Sequence, residues 1–155
     1  MVTVNGEAVD GVVSGDYLSL NRRWQTGDSV AIGFDMPTRA VSLHGMTALT
    51  RGPILLARDT RFGDGYVDEC VTIATTADGT VSVTPVEAPE GMWMAFTTKM
   101  VCGTYADGTL DRRTVHLCDF ASAGNTWDEK TRYRVWLPRL YVPSERTHPL
   151  PSIVF

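Results

Sequence analysis

Alternation of apolar and polar residues with a period of two is the feature that most constrains this chain. The runs 18–21, 30–36, 81–84 and 132–137 each place an apolar side chain at every second position. Successive side chains of a strand point to opposite faces of its sheet, so this period is typical of half-buried strands. No segment carries a convincing helical period. We therefore predict strands in these runs and an all-β fold.

Three dipeptides that favour tight turns lie between strand-like runs. They are Asn5-Gly6, Asp78-Gly79 and Asp107-Gly108. Asn-Gly and Asp-Gly supply the positive φ that two-residue hairpin turns need. These dipeptides predict three β-hairpins.

The cysteines Cys70, Cys102 and Cys118 include no Cys-x-x-Cys pair. An odd set with this spacing indicates neither a disulfide framework nor a zinc site. If the third turn is a two-residue loop, Cys102 lies opposite Arg113. Cys118 then lies opposite Thr97, and a bridge between the two thiols would break that register. We predict three buried free thiols, since free Cys is among the most buried residue types.

Length and charge place this chain among ordinary soluble domains. Its 155 residues suit a single domain, residues 1–155, and its basic residues are scattered while the net charge is −4. A basic stripe would indicate nucleic acid, so we expect no nucleic-acid partner. The amino terminus lacks a signal-peptide pattern, and no run approaches the roughly 20 apolar residues of a membrane span. We expect a cytoplasmic protein without a membrane partner.

Short strands at close spacing, separated by Gly and Pro, favour an antiparallel β-sandwich that is jelly-roll-like in its connections. The least regular stretches are 59–69, 86–91, 119–132 and 138–151. Sandwich domains usually carry function on such connections. We therefore look for a site in these stretches.

Several short motifs follow one another in a fixed order along the first third of the chain. They are Val4-Asn5-Gly6, Gly15-Asp16-Tyr17, Trp24 before Gly27-Asp28, Met36-Pro37 and Arg51-Gly52-Pro53. In order and spacing they resemble the β-sandwich that follows the helical catalytic barrel in the β-L-arabinofuranosidase-like glycoside hydrolases. The segments 119–127 and 133–138 look like the closing loop and strand of a related subgroup. The resemblance spans most of the chain.

The resemblance implies an accessory role. In that family a Cys nucleophile, beside a zinc ion held by cysteines and a glutamate, belongs to the helical barrel, so no catalytic role passes to the three cysteines here. The family sandwich also begins with one more strand, which implies that this chain is a carboxy-terminal piece of a larger hydrolase. We expect a non-catalytic domain, without cofactor or metal, that supports the barrel and can contact carbohydrate.

As an accessory domain, the chain would expose the apolar surface that met the barrel and could self-associate through it. A second interpretation stays open, in which the chain is a freestanding carbohydrate-binding module. A third class, an independent enzyme, finds no usable nucleophile, base or metal set in the sequence.

The stretch 119–132 is the best candidate for a ligand contact. Asn125, Trp127 and Asp128 combine an aromatic platform with hydrogen-bonding groups, which suit the faces and hydroxyl groups of sugars. The competing interpretation is a loop that caps one end of the sandwich. We name these three residues as the candidate carbohydrate or barrel contacts.

Other polar groups are better explained without function. Asp68-Glu69 and Asp128-Glu129 are adjacent carboxylates, and strand neighbours point to opposite faces, so surface charge is favoured over acid and base catalysis. For His116 and Cys118, a core thiol beside a half-buried imidazole is favoured over a metal site.

Two further groups have structural explanations. A plain surface loop is favoured over calcium binding for Asp59, Asp64 and Asp68, because their spacing matches no regular calcium loop. Core packing is favoured for the aromatic residues that lie in or beside strand-like runs, which are Tyr17, Trp24, Trp93 and Trp136.

Overall fold

The computed structural model describes residues 1–126 and 128–140. Within these ranges the chain forms short antiparallel strands and a single-turn 3-10 helix at Thr60–Phe62. The predicted all-β antiparallel class is confirmed, whereas the jelly-roll connectivity stays a prediction. The strands are β1 (Val2–Val4), β2 (Glu7–Ala8), β3 (Val30–Ile32), β4 (Thr38–Leu43), β5 (Met46–Arg51), β6 (Ile54–Asp59), β7 (Thr72–Ile73), β8 (Thr84–Val86), β9 (Ala95–Thr104), β10 (Leu110–Asp119), β11 (Tyr133–Arg134) and β12 (Leu137–Pro138).

The chain divides into two compact units, Met1–Asp35 and Met36–Phe155. A single domain over residues 1–155 therefore stays a prediction. In the described ranges, no helix is long and apolar enough to cross a bilayer.

The first unit contains a three-stranded sheet in the order β2-β1-β3. Asn5 and Gly6 join β1 to β2 with φ values of 53° and 85°, as a type I′ turn requires, so the first predicted hairpin is confirmed. The Asn5 side chain also donates to Asp28 Oδ1 at 2.7 Å and accepts from the Ser29 N–H at 2.8 Å. Asn5 thereby ties the turn to the segment that enters β3.

Two predicted strands are wrong or too long in this unit. The run 18–21 contains no strand, and the run that starts at Val30 ends as a strand at Ile32. Beyond the three paired residues of β1, Gly33 N–H donates to Met1 O at 2.8 Å, and the amino terminus of Met1 donates to Gly33 O at 2.9 Å. Alternation makes a segment able to form a strand, but a strand also needs a neighbouring backbone with which to pair.

The second unit contains one large sheet in the order β12-β5-β6-β10-β9-β7, with β4 on β5, β8 on β9 and β11 on β6. Strands β7 and β8 both pair with β9, and the segment 74–83 between them leaves this edge. It reaches β4, where Ala40 N–H donates to Gly79 O at 3.1 Å and Val81 N–H donates to Thr38 O at 2.8 Å. The sheet therefore curls until its β9 side and its β4 edge are joined through 74–83.

The Asp78-Gly79 turn forms, but its predicted hairpin does not. Thr76 N–H donates to Thr80 O at 2.9 Å, and Gly79 has a φ of 79°. The flanking strands pair with β9 and the turn region pairs with β4, so the two strands never face each other. The dipeptide specifies the turn, whereas the other strands of the sheet decide the partners.

The Asp107-Gly108 hairpin is confirmed with a different register. Tyr105 N–H donates to Thr109 O at 2.8 Å, and a bulge follows between Leu110 and Arg112. Arg113 consequently faces Met100 and not Cys102, and Cys118 faces Ala95 and not Thr97. The longer loop and the one extra residue of the bulge shift every cross-strand pair of this hairpin. The turn dipeptide alone does not reveal that shift.

All three cysteines are free, but they are not all buried. Cys118 is buried and Cys102 half-buried, whereas Cys70 is exposed, so the prediction of three buried thiols is wrong for Cys70. Cys70 lies in the irregular stretch before β7, where no alternation constrains which way its side chain points.

The hydrophobic core lies in the second unit, where the curled sheet supplies side chains from most of its strands. Each large apolar side chain buried in this way stabilises the fold by about 1.5–3 kcal/mol relative to exposure. The core side chains are Ala40, Leu49, Leu56, Val71, Ile73, Val81, Phe96, Met100, Val115, Leu117 and Leu137.

Candidate functional site

The four aromatic residues that were predicted to pack in the core are exposed, so that prediction is wrong. Tyr17 is 98% exposed and Trp93 83%, while Trp24 and Trp136 are 47% and 36% exposed. None of these four residues lies in a strand of the structure, so no sheet face directs its side chain toward the core. The exposed aromatic side chains are therefore candidates for contact with a ligand or partner.

The loop that follows β10 is held by a buried pair, Asp119 and Ser122. The Ser122 N–H and hydroxyl donate to Asp119 Oδ2 at 2.9 and 2.7 Å, and Met94 N–H donates to Asp119 Oδ1 at 3.1 Å. The Ser122 hydroxyl in turn accepts from the Trp93 N–H at 3.0 Å. The backbone of the exposed Trp93 is therefore fixed to the same buried pair that shapes the loop.

Asp59 and Arg61 provide a second anchor for this loop. The Arg61 guanidinium binds both oxygens of Asp59 at 3.0 and 2.9 Å, and Gly124 N–H donates to Asp59 Oδ2 at 2.8 Å. Burial raises the pKa of Asp59, but the hydrogen bonds from Arg61 and Gly124 outweigh it and hold that pKa below its usual value. Arg61 also donates to Ser122 O at 2.7 Å, which joins the two anchors.

Asn125 anchors the loop with both ends of its side-chain amide. Its Oδ1 accepts from Arg61 at 2.9 Å, and its Nδ2 donates to Gly91 O at 2.7 Å. Asp128 is exposed and accepts from the Lys130 N–H at 2.8 Å. Trp127, the third predicted contact, lies outside the described residues. The structure thus brings Asn125 to the stretch that carries Trp93, and leaves Asp128 on the surface.

Three exposed aromatic residues accompany this anchored loop and form what we call the aromatic loop surface: Trp93, Phe120 and Tyr133. The rings of Phe120 and Tyr133 lie 5.9 Å apart and are tilted by 54°. A Cβ on Gly124 would lie 2.5 Å from Tyr133 Cδ1, so only glycine lets this ring rest on the loop backbone. Sequence reasoning assigned Trp93 to the core and did not single out the other two. Their nearness in sequence to 86–91 and 119–132 was the available signal.

A network of ion pairs joins β6 and β10 to the 59–69 stretch. The Arg58 side chain is only 1% exposed and binds Glu69 Oε1 at 2.8 Å, while Arg113 binds Glu69 Oε2 at 2.6 Å. Glu69 was predicted as solvated surface charge, and that prediction is wrong because the carboxylate joins two guanidinium groups. Its neighbour Asp68 is 56% exposed and pairs with Arg134. The two adjacent carboxylates therefore serve different partners.

The three aspartates of the 59–69 stretch do not share a cation site. Asp59 is paired with Arg61 and Asp68 with Arg134, and Asp64 Oδ2 lies 3.2 Å from His116 Nδ1. Because each carboxylate is bound to its own basic side chain, the three do not converge on a common cation position. In residues 1–126 and 128–140, no group of His, Cys, Asp and Glu has the arrangement of a metal site.

His116 and Cys118 have the structural roles that the sequence favoured. The His116 ring stacks on Phe62 with centroids 4.9 Å apart, and Cys118 is fully buried. Burial raises the pKa of Cys118 to about 12 and that of Cys102 to about 11. Because the thiolate is the reactive form, neither thiol is activated as a nucleophile at neutral pH.

The first unit presents a second exposed apolar surface, which we call the β3 face: Val30, Ile32 and Phe34. Val30 and Ile32 alternate along β3 and are 45% and 59% exposed, and Phe34, in the segment after the strand, is 76% exposed. Trp24 in the same unit carries the Arg22 guanidinium 5.0 Å above its ring. Apolar side chains that recur on one face of a strand are normally covered by another layer or by a partner.

Comparison with known proteins identifies the family that the chain resembles. A family model described as "Beta-L-arabinofuranosidase, GH127 middle domain" matches residues 1–36. A solved GH127 β-arabinofuranosidase matches at 25% identity and a TM-score of 0.59, over 89% of this chain and 23% of its own. The resemblance to the β-L-arabinofuranosidase family is confirmed. The matched model names a middle domain of these GH127 proteins.

Two further solved structures share this fold. A GH127 β-L-arabinofuranosidase from Geobacillus stearothermophilus T6 matches at 21% identity and a TM-score of 0.62, over 90% of this chain and 24% of its own. A structure titled as a glycoside hydrolase matches at 22% identity and a TM-score of 0.62, over 90% of this chain and 26% of its own. The chain therefore spans about a quarter of the length of these structures. No curated protein is significantly similar in sequence.

Proposed function

We propose that this chain is a non-catalytic accessory β-domain of a GH127-like glycoside hydrolase and packs against the helical catalytic barrel. The observation that carries the proposal is the extent of the structural match: 89% of this chain aligns with only 23% of a solved GH127 β-arabinofuranosidase. The remaining three quarters of such a chain leave ample length for a separate catalytic body. A domain of this size can support that catalytic body and add to its surface.

The β3 face supports docking to a barrel. Ile32 and Phe34 expose 59% and 76% of their surface, although water is an unfavourable environment for such side chains. Exposed apolar residues that cluster usually mark a partner surface. The high pKa of Cys102 and Cys118 supports a role other than thiol chemistry, since their thiols stay protonated at neutral pH.

Co-purification with a barrel tests this proposal. The chain is expressed with a tagged helical barrel from the same genome, and we expect a complex with one copy of each chain. Ile32→Thr and Phe34→Ser should each weaken the complex about tenfold or more, because central apolar contacts carry most binding energy. Val86→Thr changes a 37% exposed valine of β8 and serves as the control. A chain that never binds the barrel, or a complex that both variants leave intact, contradicts the proposal.

A freestanding carbohydrate-binding module is the second candidate, and Trp93 favours it. Its side chain is 83% exposed while its backbone is fixed to Ser122, so the indole projects into solvent from an anchored backbone. Aromatic faces of this kind stack on sugar rings. Calorimetric titration of the chain alone with arabino-oligosaccharides tests this function. Binding that disappears in Trp93→Ala supports the module, and no heat of binding in the parent chain excludes it.

A further inference from the structure

A hydroxyl-lined groove lies on the outside of β8, β9 and β10, and it contains no residue of the β3 face or of the aromatic loop surface. Thr84 of β8 lies opposite Thr97 of β9 in the strand register, and Lys99 of β9 lies opposite Thr114 of β10. These residues and Ser82 line a groove of about 570 Å³. This volume lies within the range of small-ligand sites, about 300–1,000 Å³.

The segment 74–83 forms a fixed wall of this groove. It carries Ser82, and its turn is held to β4 by the hydrogen bond from Ala40 N–H to Gly79 O at 3.1 Å. The Thr98 hydroxyl, on the opposite side of β9 from Thr97, donates to Ser82 O at 2.8 Å and holds the same wall to the sheet. The groove is therefore preformed by backbone contacts and does not depend on a ligand to shape it.

The polar groups inside the groove are free to bind. In the part of the chain that the structure describes, the hydroxyls of Thr84, Thr97 and Thr114 make no hydrogen bond, and Lys99 pairs with no carboxylate. Three hydroxyls can each donate and accept, and the ammonium adds three donors and a positive charge. The lining holds neither an acidic nor an aromatic side chain. A matching ligand therefore carries many hydroxyls and at least one carboxylate that can pair with Lys99.

We propose that this groove binds a short acidic saccharide whose carboxylate pairs with Lys99 and whose hydroxyls bond to Thr84, Thr97 and Thr114. Side chains that lie opposite each other on neighbouring strands are about 5 Å apart, and side chains two residues apart on one strand are about 7 Å apart. This spacing spreads the polar contacts over more than one sugar unit. A single small anion would reach Lys99 but leave most of the hydroxyls without partners.

Titration with trigalacturonate, a trimer of an acidic sugar, tests the groove. Isothermal calorimetry and amide chemical shifts of the full chain are measured with trigalacturonate, neutral arabinotriose and inorganic phosphate. We expect trigalacturonate to bind at least about tenfold more tightly than the other two, because the hydrogen bonds to a charged group add to those of the hydroxyls. The shifted amides should belong to β8, β9 and β10.

Variants separate this groove from simple charge attraction. Lys99→Gln should reduce trigalacturonate binding about tenfold, and Thr97→Val, which keeps the side-chain shape, should weaken binding severalfold. Lys130→Gln removes an exposed charge from the other loop and should leave binding unchanged. The proposal is overturned if trigalacturonate does not bind at millimolar concentration, if phosphate or arabinotriose binds equally well, or if Lys99→Gln and Lys130→Gln have the same effect. Barrel co-purification does not involve Lys99, so either result can fail without the other.

Discussion

Arg58 occupies an unusual environment for a cation in a domain of this size. Its side chain is 1% exposed, and it is paired with Glu69 at 2.8 Å and with Asp64 at 3.6 Å. A buried charge is tolerated only when its partners are close, because removal from water costs several kcal/mol per ion. Gly65 covers the pair, and a Cβ there would lie 2.6 Å from Arg113 Nη1 and 2.9 Å from Glu69 Oε1. The glycine lets the 59–69 stretch close over this network.

Glu69→Gln tests the dependence of Arg58 on its partner. The substitution keeps the shape but removes the charge, so we expect a loss of about 3 kcal/mol or more in the free energy of unfolding, as for other broken buried pairs. Urea denaturation measures it. Asp68→Asn alters the neighbouring, 56% exposed carboxylate and should change stability by no more than about 1 kcal/mol. Equal losses in the two variants would show that burial of Arg58 plays no part.

Asp59 predicts a dependence of stability on acid pH. Its folded-state pKa lies below its usual value, so its charged form contributes stability that is complete above the unfolded-state pKa of about 3.9. That contribution is lost as the pH falls through the folded-state pKa. Asp59→Asn should therefore lower the free energy of unfolding at pH 7. The difference in this free energy between the variant and the parent chain should shrink as the pH falls below about 4.

Urea unfolding at pH 7, 4 and 3 measures this effect. Asp128→Asn, which changes an exposed carboxylate of the same region, provides the control and should give small differences at every pH. A difference between Asp59→Asn and the parent chain that stays constant from pH 7 to pH 3 would contradict the assignment.

At the scale of elements, turns were predicted better than strand partners. The Asn5-Gly6 turn joins the strands that the sequence indicated, but the strands beside Asp78-Gly79 pair with β9. Positive φ is a property of two residues and is visible in the sequence. Pairing depends on which backbone lies alongside, and the segment 74–83 reaches β4, nearly 40 residues earlier in the chain. The third hairpin shows the same limit, because its bulge shifts the register.

One hairpin went unnoticed because histidine occupies the usual asparagine position. His44 and Gly45 have φ values of 47° and 77° and join β4 to β5, with Leu43 opposite Met46. Histidine is among the residues that tolerate positive φ, though less favoured there than Asn. The pattern x-His-Gly-x between two alternating runs was the available signal.

His44→Asn should stabilise this turn by about 0.5 kcal/mol, because Asn adopts the left-handed conformation at lower cost. His44→Val should destabilise it by about 1 kcal/mol or more, since a β-branched residue is strained at positive φ. Thermal unfolding of the three chains measures both changes. If Val is tolerated as well as Asn, the turn does not hold the conformation described.

At the scale of the whole molecule, exposed apolar surface is the property with the widest consequence. The β3 face leaves Val30, Ile32 and Phe34 in water, and surfaces of this kind are covered by a partner when one is present. The predicted partners were a catalytic barrel or a second copy of the chain. The predicted cytoplasmic location and the absence of a nucleic-acid partner rest on the sequence alone and stay predictions.

Without a barrel, we expect the chain to self-associate through the β3 face. Sedimentation equilibrium over a range of concentrations should show dimers or larger species in the parent chain. Phe34→Ser should shift the distribution toward monomer, because it removes the most exposed apolar side chain of this face. Val86→Thr should leave it unchanged. A parent chain that is monomeric at every concentration would count against the β3 face as a docking surface.

The sequence by itself determined the all-β class, the positions of most turns and the family resemblance, because alternation, positive-φ dipeptides and motif order are local properties. Only the tertiary structure decided the strand partners, the exposure of Trp93 and the pairing of Arg58 with Glu69. Each of these depends on residues far apart in the chain that meet only after the sheet has curled. The same long-range contacts make Asn125 an anchor of its loop, while its role as a ligand contact stays a prediction, and they bring Thr84, Lys99 and Thr114 into one groove.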